Sequence, residues 1–177
     1  MDVKPASSRV FRETLSHFAS GVTVVAAQTA NGLVGFTATG FTSVSLTPPL
    51  ILVCVGKHCS AHDGIVGAEL FGVSVLSERQ EWIAEQFARS GTDRFRNVVL
   101  RSREVPRIDG ALAQLECRRY ELHAAGDHTI VIGEVLAGVV SAGRPLVHFA
   151  RRFGSFVAEN TPRPTLETST ARQGESA

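Results

Sequence analysis

The sequence predicts a mainly β protein, an antiparallel barrel or sandwich with short helices. Three observations predict it. Six or seven short segments carry β-branched or alternating apolar patterns. Sixteen glycines suit tight turns between them. Strands and long helices do not alternate, which argues against a doubly wound α/β fold.

Residues 1–8 read as a flexible lead-in. From Arg9 to Ser20 the apolar positions Phe11, Leu15 and Phe18 recur at helical spacing, and Gly21 suits the helix end. Val22–Ala26 and Leu33–Ala38 flank Asn31-Gly32, a hairpin signal whose turn residues tolerate positive φ. Val44-Ser45-Leu46 runs into Thr47-Pro48-Pro49, where two residues without an amide hydrogen interrupt the sheet. Leu50–Val55 reads as a buried strand, and Phe71–Leu76 as another. Ser77-Glu78-Arg79-Gln80 has the form of a capping box, opening a helix that carries Trp82, Ile83, Gln86 and Phe87. Gly91–Asn97 is a polar loop bearing Asp93, Arg94 and Phe95. Leu112–Leu122 is strand-like, with a parity change between Cys117 and Tyr120 that fits a bulge near Arg118 or a register change. His128–Val140 is a long strand pattern with candidate breaks at Gly133 or Gly138, and Pro145–Phe149 reads as the last strand. The organisation expected is one domain over 9–158 and a disordered tail over 159–177, where proline, threonine and serine replace large apolar residues.

The chain of 177 residues fits one domain and cannot hold two full nucleotide-binding domains. Eighteen Lys+Arg against seventeen Asp+Glu leave a net charge of +1, so neither a nucleic acid partner nor an acidic solvating role is expected. Ten phenylalanines against one Trp and one Tyr suggest a Phe-rich core. Cys54, Cys59 and Cys117 are odd in number and form no Cys-x-x-Cys, which fits a reduced, cytoplasmic protein. Met1–Arg12 carries Asp2, Lys4, Arg9 and Arg12 and does not read as a secretory signal. The longest apolar run, Leu50–Val55, is far shorter than the ~20 residues of a membrane helix.

No Gly-x-Gly-x-x-Gly, phosphate loop or nucleophile elbow is present. His58, Cys59, His62 and Asp63 are the most metal-like cluster, but no second ligand pair matches them, and a polar loop without metal is favoured. Cys54 in its apolar strand reads as a small core residue. Gly35–Ser45 is dense in small residues and hydroxyls. That fits either a hydroxylated exposed face or a backbone lying close to a flat ligand. His128 after Gly126-Asp127 fits a satisfied turn residue or a site residue. Arg151-Arg152-Phe153 fits a solvated basic corner or an anion and aromatic clamp.

Together these segments are more specific than any one of them. The order Phe11-Arg12, Gly21-Val22-Thr23-Val24, Gly35-Phe36-Thr37-Ala38-Thr39-Gly40-Phe41-Thr42-Ser43-Val44-Ser45-Leu46-Thr47-Pro48-Pro49-Leu50, Phe71-x-Val73-x-Val75-Leu76, Gln86-Phe87-Ala88, Arg94-Phe95, Leu115-Glu116-Cys117, Gly126-Asp127-His128, Gly133-Glu134-Val135 and Pro145-Leu146 resembles the flavin reductase-like family. These are the short reductase partners of two-component flavin-dependent monooxygenases. The likeness spans roughly Arg9 to Phe156. Gly40 stands where the family usually has Ser, and Ser74 where it often has Asn.

The resemblance implies an FMN-binding split β-barrel with Greek-key antiparallel strands, usually a homodimer with the flavin site near the subunit interface. It implies that Gly35, Phe36, Thr37, Ala38, Thr39, Gly40 and Phe41 lie along the isoalloxazine. Val53, Cys54, Val55, Cys59 and Ser60 would complete the ring and phosphate pocket, and Gln86, Phe87 and Arg94 would close around the ribityl phosphate. His128 would face the nicotinamide, and Phe149, Arg151, Arg152 and Phe153 would help bind the dinucleotide. The implied activity is NAD(P)H:flavin oxidoreduction. Hydride passes from NADH or NADPH to FMN or FAD, and reduced flavin goes to a separate oxygenase. The alternative is an electron-transfer protein that keeps FMN bound. Because the cofactor carries the redox chemistry, no acid–base pair or nucleophile need stand out in the sequence.

Overall fold

The computed structural model describes residues 4–157. The tail expected over 159–177 lies outside them. The described residues form three α-helices, α1 (Ser8–Ser16), α2 (His62–Gly67) and α3 (Glu81–Ala88), and ten strands. The strands are β1 (Ser20–Gly21), β2 (Thr23–Thr29), β3 (Gly32–Ala38), β4 (Phe41–Leu46), β5 (Pro49–Gly56), β6 (Leu70–Val75), β7 (Ala113–Ala125), β8 (His128–Val140), β9 (Leu146–Phe149) and β10 (Arg152–Ser155). Seven form one antiparallel sheet in the order β3-β2-β6-β7-β8-β5-β4, and β1-β9-β10 form a second. β3 and β4 are consecutive in the chain yet lie at opposite ends of the large sheet, so the barrel is split rather than closed. β6, β7 and β8 run as a meander, and β5 returns beside β8, which makes the Greek key. The fold class predicted from sequence is the fold observed.

Period-2 patterning builds two cores from one strand. Val25 and Ala27 of β2 face the barrel interior with Val53, Val55, Phe71, Val73 and Val131. Val24 and the preceding Val22 face the other way, onto Leu76, Ile83, Phe87, Ile108 and Leu146. This second core joins the two sheets through α3. The Ser77–Gln80 capping box forms. The Ser77 amide donates to Gln80 Oε1 at 3.0 Å, and Gln80 Nε2 donates to the Asp109 carbonyl at 2.8 Å. The box opens a 3₁₀ turn over Glu78–Gln80, and α3 begins at Glu81.

Several local expectations are corrected. The first helix ends at Ser16, and Ser20–Gly21 form β1 because they pair with Val147 and His148 of β9. Its apolar side chains are not core: α1 buries none of its residues. In the β2–β3 hairpin only Gly32 takes a positive φ, +109°, while the Thr29 hydroxyl accepts from the Asn31 amide at 3.2 Å. Thr47-Pro48-Pro49 does not interrupt the sheet. Thr47 and Pro48 make a hairpin turn, and Pro49 opens β5 opposite Leu46. β8 runs unbroken through Gly133 and Gly138. The irregularity expected in β7 is present, as register shifts at Glu116/Cys117 and Arg119/Glu121. Gly133 has no side chain because Phe71 Cζ lies 2.5 Å from where its Cβ would stand. The Phe bias is only partly a core property. Phe71 and Phe87 are fully buried, but Phe11, Phe18, Phe149 and Phe156 are exposed. No helix among the described residues is long and apolar enough to cross a membrane.

Gly72 shows how tightly β6 is covered: a Cβ there would collide with the Pro106 carbonyl, with Arg107 Cγ at 3.0 Å. A backbone oxygen cannot swing away as a side-chain tip can. Gly72→Ala is therefore expected to destabilise by about 1–3 kcal/mol or more. Gly21→Ala, with nothing within 4 Å of the added Cβ, should leave thermal unfolding nearly unchanged. Equal Tm values for the two variants would refute this.

Candidate functional site

The best-organised site is built around Gly35. A Cβ at this position would lie 2.9 Å from Phe87 Cε1, 3.0 Å from the Val25 carbonyl and 3.1 Å from Phe95 Cζ. The rings of Phe87 and Phe95 meet edge to face, with centroids 5.0 Å apart and planes at 80°. Arg94 Nη1 donates to the Gly35 carbonyl at 2.9 Å and its Nε to the Arg89 carbonyl at 3.0 Å. Gln86 Nε2 donates to the carbonyls of both Arg94 and Arg96, at 2.8 and 2.9 Å. The Thr37 hydroxyl donates to the Ala84 carbonyl at 2.6 Å, fixing β3 to α3. These bonds shape a cavity of about 270 Å³ lined by Gly35, Ser60, Thr92, Asp93, Arg94 and Phe95, with Leu33, Val34 and Ala61.

β4 and β5 make the next wall. Val53 and Val55 point into the barrel core, whereas Cys54 points the other way and is half-buried, not a core residue as its apolar strand suggests. Its Cβ lies 3.1 Å from the place of a Gly40 Cβ, and its amide donates to the Gly40 carbonyl at 2.9 Å. At Gly35 the space a side chain would take is filled by protein atoms, whereas at exposed Gly40 an added Cβ would press on Cys54 alone. Phe36, Ala38 and Phe87 are likewise buried, so their side chains belong to the cores. Thr39 and Gly40 are exposed and Phe41 is half-buried. Cys59 packs on the barrel core, and Ser60 is exposed. In the metal-like cluster, His62 is spent on hydrogen bonding. Its Nε2 lies 2.9 Å from the Thr129 hydroxyl and its Nδ1 2.7 Å from Asp63 Oδ1.

His128 opens β8 opposite Gly56 of β5. Its Nδ1 stands 2.7 Å from Asp127 Oδ1, and a carboxylate only accepts, so Nδ1 carries the proton and Nε2 of the neutral ring is free to accept. The turn is held by Lys57, whose amide donates to the Asp127 carbonyl at 2.9 Å and whose Nζ donates to the Gly126 carbonyl at 2.6 Å. The sequence pattern assigns Asp127 no role of its own, although it stands beside the histidine in Gly126-Asp127-His128.

Phe149, Arg152 and Phe153 line another cavity, of about 570 Å³, on the β9–β10 hairpin. Arg151 does not line it, because its guanidinium donates to Glu13 Oε2 of α1 at 2.8 Å. The hairpin itself is not legible in the sequence. Its two-residue turn takes Ala150 and Arg151 to φ values of 47° and 62°, left-handed angles usually given to Gly or Asn. The Ala150 amide donates to the Ser16 carbonyl at 2.7 Å, so α1 supports the strained turn.

The same geometry is shared with known proteins over most of the chain. The family model described as "Flavin reductase like domain" matches residues 15–156. The chain belongs to this family. It is 43% identical over 152 residues to the FMN reductase (NADH) SmoA of Agrobacterium fabrum, covering 85% of this chain and 87% of that protein. It is also 43% identical over 150 residues to the reductase component of 4-hydroxyphenylacetate 3-monooxygenase from Thermus thermophilus, covering 83% and 95%. Among solved structures, the NADH:FAD oxidoreductase SgcE6 of Streptomyces globisporus, in complex with NAD and FAD fragments, superposes with a TM-score of 0.82. The two are 37% identical, with 90% of this chain and 100% of that one covered.

The donor set fits the phosphate end of a flavin. Ser60 and Thr92 supply hydroxyls and Arg94 a guanidinium. Asp93, the one carboxylate among the cavity's lining residues, already accepts from the Phe95 amide at 3.1 Å. Phe95, which carries one wall, stands in the sequence as part of Arg94-Phe95 but without an expected role.

The hydrogen bond to His128, and then the charge that ring carries in its protonated form, hold the Asp127 carboxyl below its ordinary pKa. A carboxyl depressed in the folded state stabilises the fold above its unfolded pKa and loses that contribution as pH falls through the folded value. In a carbon-detected NMR titration Asp127 should therefore titrate below an ordinary aspartate, and His128→Ala should return it to the ordinary range. A midpoint that does not move would show that the pair does not form.

Proposed function

We propose that the chain is an NAD(P)H:flavin oxidoreductase. It transfers hydride from a nicotinamide to FMN or FAD and supplies reduced flavin to a separate monooxygenase component. The observation that carries this reading is the cavity of Gly35, Ser60 and Arg94, in a chain of this family. A bound flavin supplies the hydride-accepting chemistry. The protein positions two ligands at about 3–3.5 Å and sets local polarity.

Ser60, Thr92 and Arg94 hold the flavin phosphate. Thr39, Gly40 and Phe41 run along the ring. Buried Phe36, Ala38, Val53, Val55 and Phe87 act from behind, by fixing the backbone that the ligand touches. Cys54, Cys59, Gln86 and Thr37 keep that wall in place. His128 presents Nε2 as an acceptor toward the carboxamide of the nicotinamide, oriented by Asp127. Phe149, Arg152 and Phe153 offer an apolar face and one cation to the dinucleotide, while Arg151 anchors their hairpin.

The working form is a cytoplasmic homodimer. Val44 and Leu46 of β4 are 49% and 92% exposed, and Tyr120, Leu136, Val139 and Val140 of β7 and β8 are between 45% and 63% exposed. Exposed apolar side chains on β4 and on the β7–β8 pair of the same sheet suit burial against a second copy.

The direct test is NADH or NADPH oxidation by purified protein with added FMN or FAD. Flavin-dependent turnover is expected, and its absence with all four combinations would overturn the reading. His128→Ala should cut kcat/KM for the nicotinamide by roughly 10- to 100-fold while flavin Kd moves less than about twofold. Parallel losses in both would place His128 elsewhere.

A further inference from the structure

A second cleft, of about 510 Å³, lies on the other side of the Gly91–Arg96 loop and is lined by Trp82, Glu85, Gln86, Arg89, Thr92, Asp93 and Arg96. Thr92 and Asp93 also line the cavity of Ser60 and Arg94, so the two spaces share a wall. We propose that this cleft is an adenylate subsite that takes the adenosine 5′-phosphate half of FAD, an inference that rests on the flavin reductase reading.

Four features of the chain carry it. Ile83, Ala84 and Phe87 bury the inner face of α3, which leaves Trp82 on the outer face, 48% exposed beside the cleft. A half-exposed indole is a large flat surface on which a purine can stack. Two guanidinium groups stand next to it. Arg89 is tethered only to Glu85, at 3.3 Å, in an exposed pair, and no salt bridge to Arg96 is formed among the described residues. The carboxylates of the cleft are already engaged: Glu85 by Arg89, and Asp93 by the Phe95 amide. Gln86 pins the loop through the Arg94 and Arg96 carbonyls, so the cleft is shaped before a ligand arrives.

FMN ends at its phosphate and is complete once Ser60 and Arg94 hold it. FAD continues from that phosphate into a second phosphate and an adenosine, and the space past Thr92 is this cleft. A nicotinamide dinucleotide also carries an adenylate. FAD is favoured because the cleft adjoins the flavin phosphate cavity, whereas Phe149, Arg152 and Phe153 line a different cavity on β9–β10.

Trp82 is the chain's one tryptophan, so its emission reports on this cleft alone. Titration with 5′-AMP should quench that emission saturably, and 5′-AMP should compete with FAD but not with FMN. Trp82→Ala and, separately, Arg96→Ala should raise the KM for FAD about tenfold, as loss of one stacked base would, with the KM for FMN and for NADH moving less than about twofold. Emission indifferent to 5′-AMP overturns the proposal, as does a KM that rises equally for FAD and FMN. A rise in the KM for NADH instead assigns the adenylate to the dinucleotide and overturns the FAD assignment. The 5′-AMP titration needs no turnover, so a chain that binds it yet reduces no flavin would refute the reductase reading and leave the subsite standing.

Discussion

The close approach of Phe87 and Phe95 to the backbone of Gly35 is the constraint on which the site depends. Two rings can press against β3 only because position 35 has no side chain. That contact fixes how near α3 comes to the sheet and where the Gly91–Asn97 loop must run. Arg94 then reaches the Gly35 carbonyl, and Gln86 secures the loop from the helix side. A cation that would otherwise wander at the end of a flexible stem is thus held at the mouth of a cavity. A glycine that reads in the sequence as an accommodation for a ligand is first an accommodation for two phenylalanines, and the cavity is the consequence.

A comparable double use appears in β2. Its residues alternate between two cores, so one strand couples the barrel interior to the layer that carries α3 and the small sheet. A change in either core is transmitted to the other through a seven-residue strand. The open barrel leaves β3 and β4 as edges, and Thr39 and Gly40 between them are exposed.

Around His128 and around Arg151 the chain uses local pairs for orientation. Asp127 settles which ring nitrogen of His128 holds the proton, and Lys57 holds the turn that presents both. Glu13 and Ser16 of an otherwise exposed α1 hold the left-handed turn at Ala150 and Arg151. An N-terminal helix with no buried residue therefore still has a structural role, because it stabilises a hairpin whose backbone angles its own residues do not favour.

Most of the long strands, the β2–β3 hairpin, the capping box before α3 and the family were legible in the chain, because each is written in short-range patterns or in an ordered run of motifs. The family resemblance assigns Gly35 to the ring and Ser60 and Arg94 to the phosphate end, and all three line one cavity. Only the tertiary structure decided which residues of an apolar strand face a core and which face a site, as with Val53 and Cys54, because period 2 does not say which face is covered. It alone decided that the absent side chain of Gly35 makes room for protein. It alone revealed β10, since Ala150 and Arg151 carry no turn signal and their angles are imposed by α1 from far away in the chain. Local chemistry fixes elements and motifs. Which side chain ends up beside which cavity is set by contacts between distant segments, and those contacts exist only once the chain has folded.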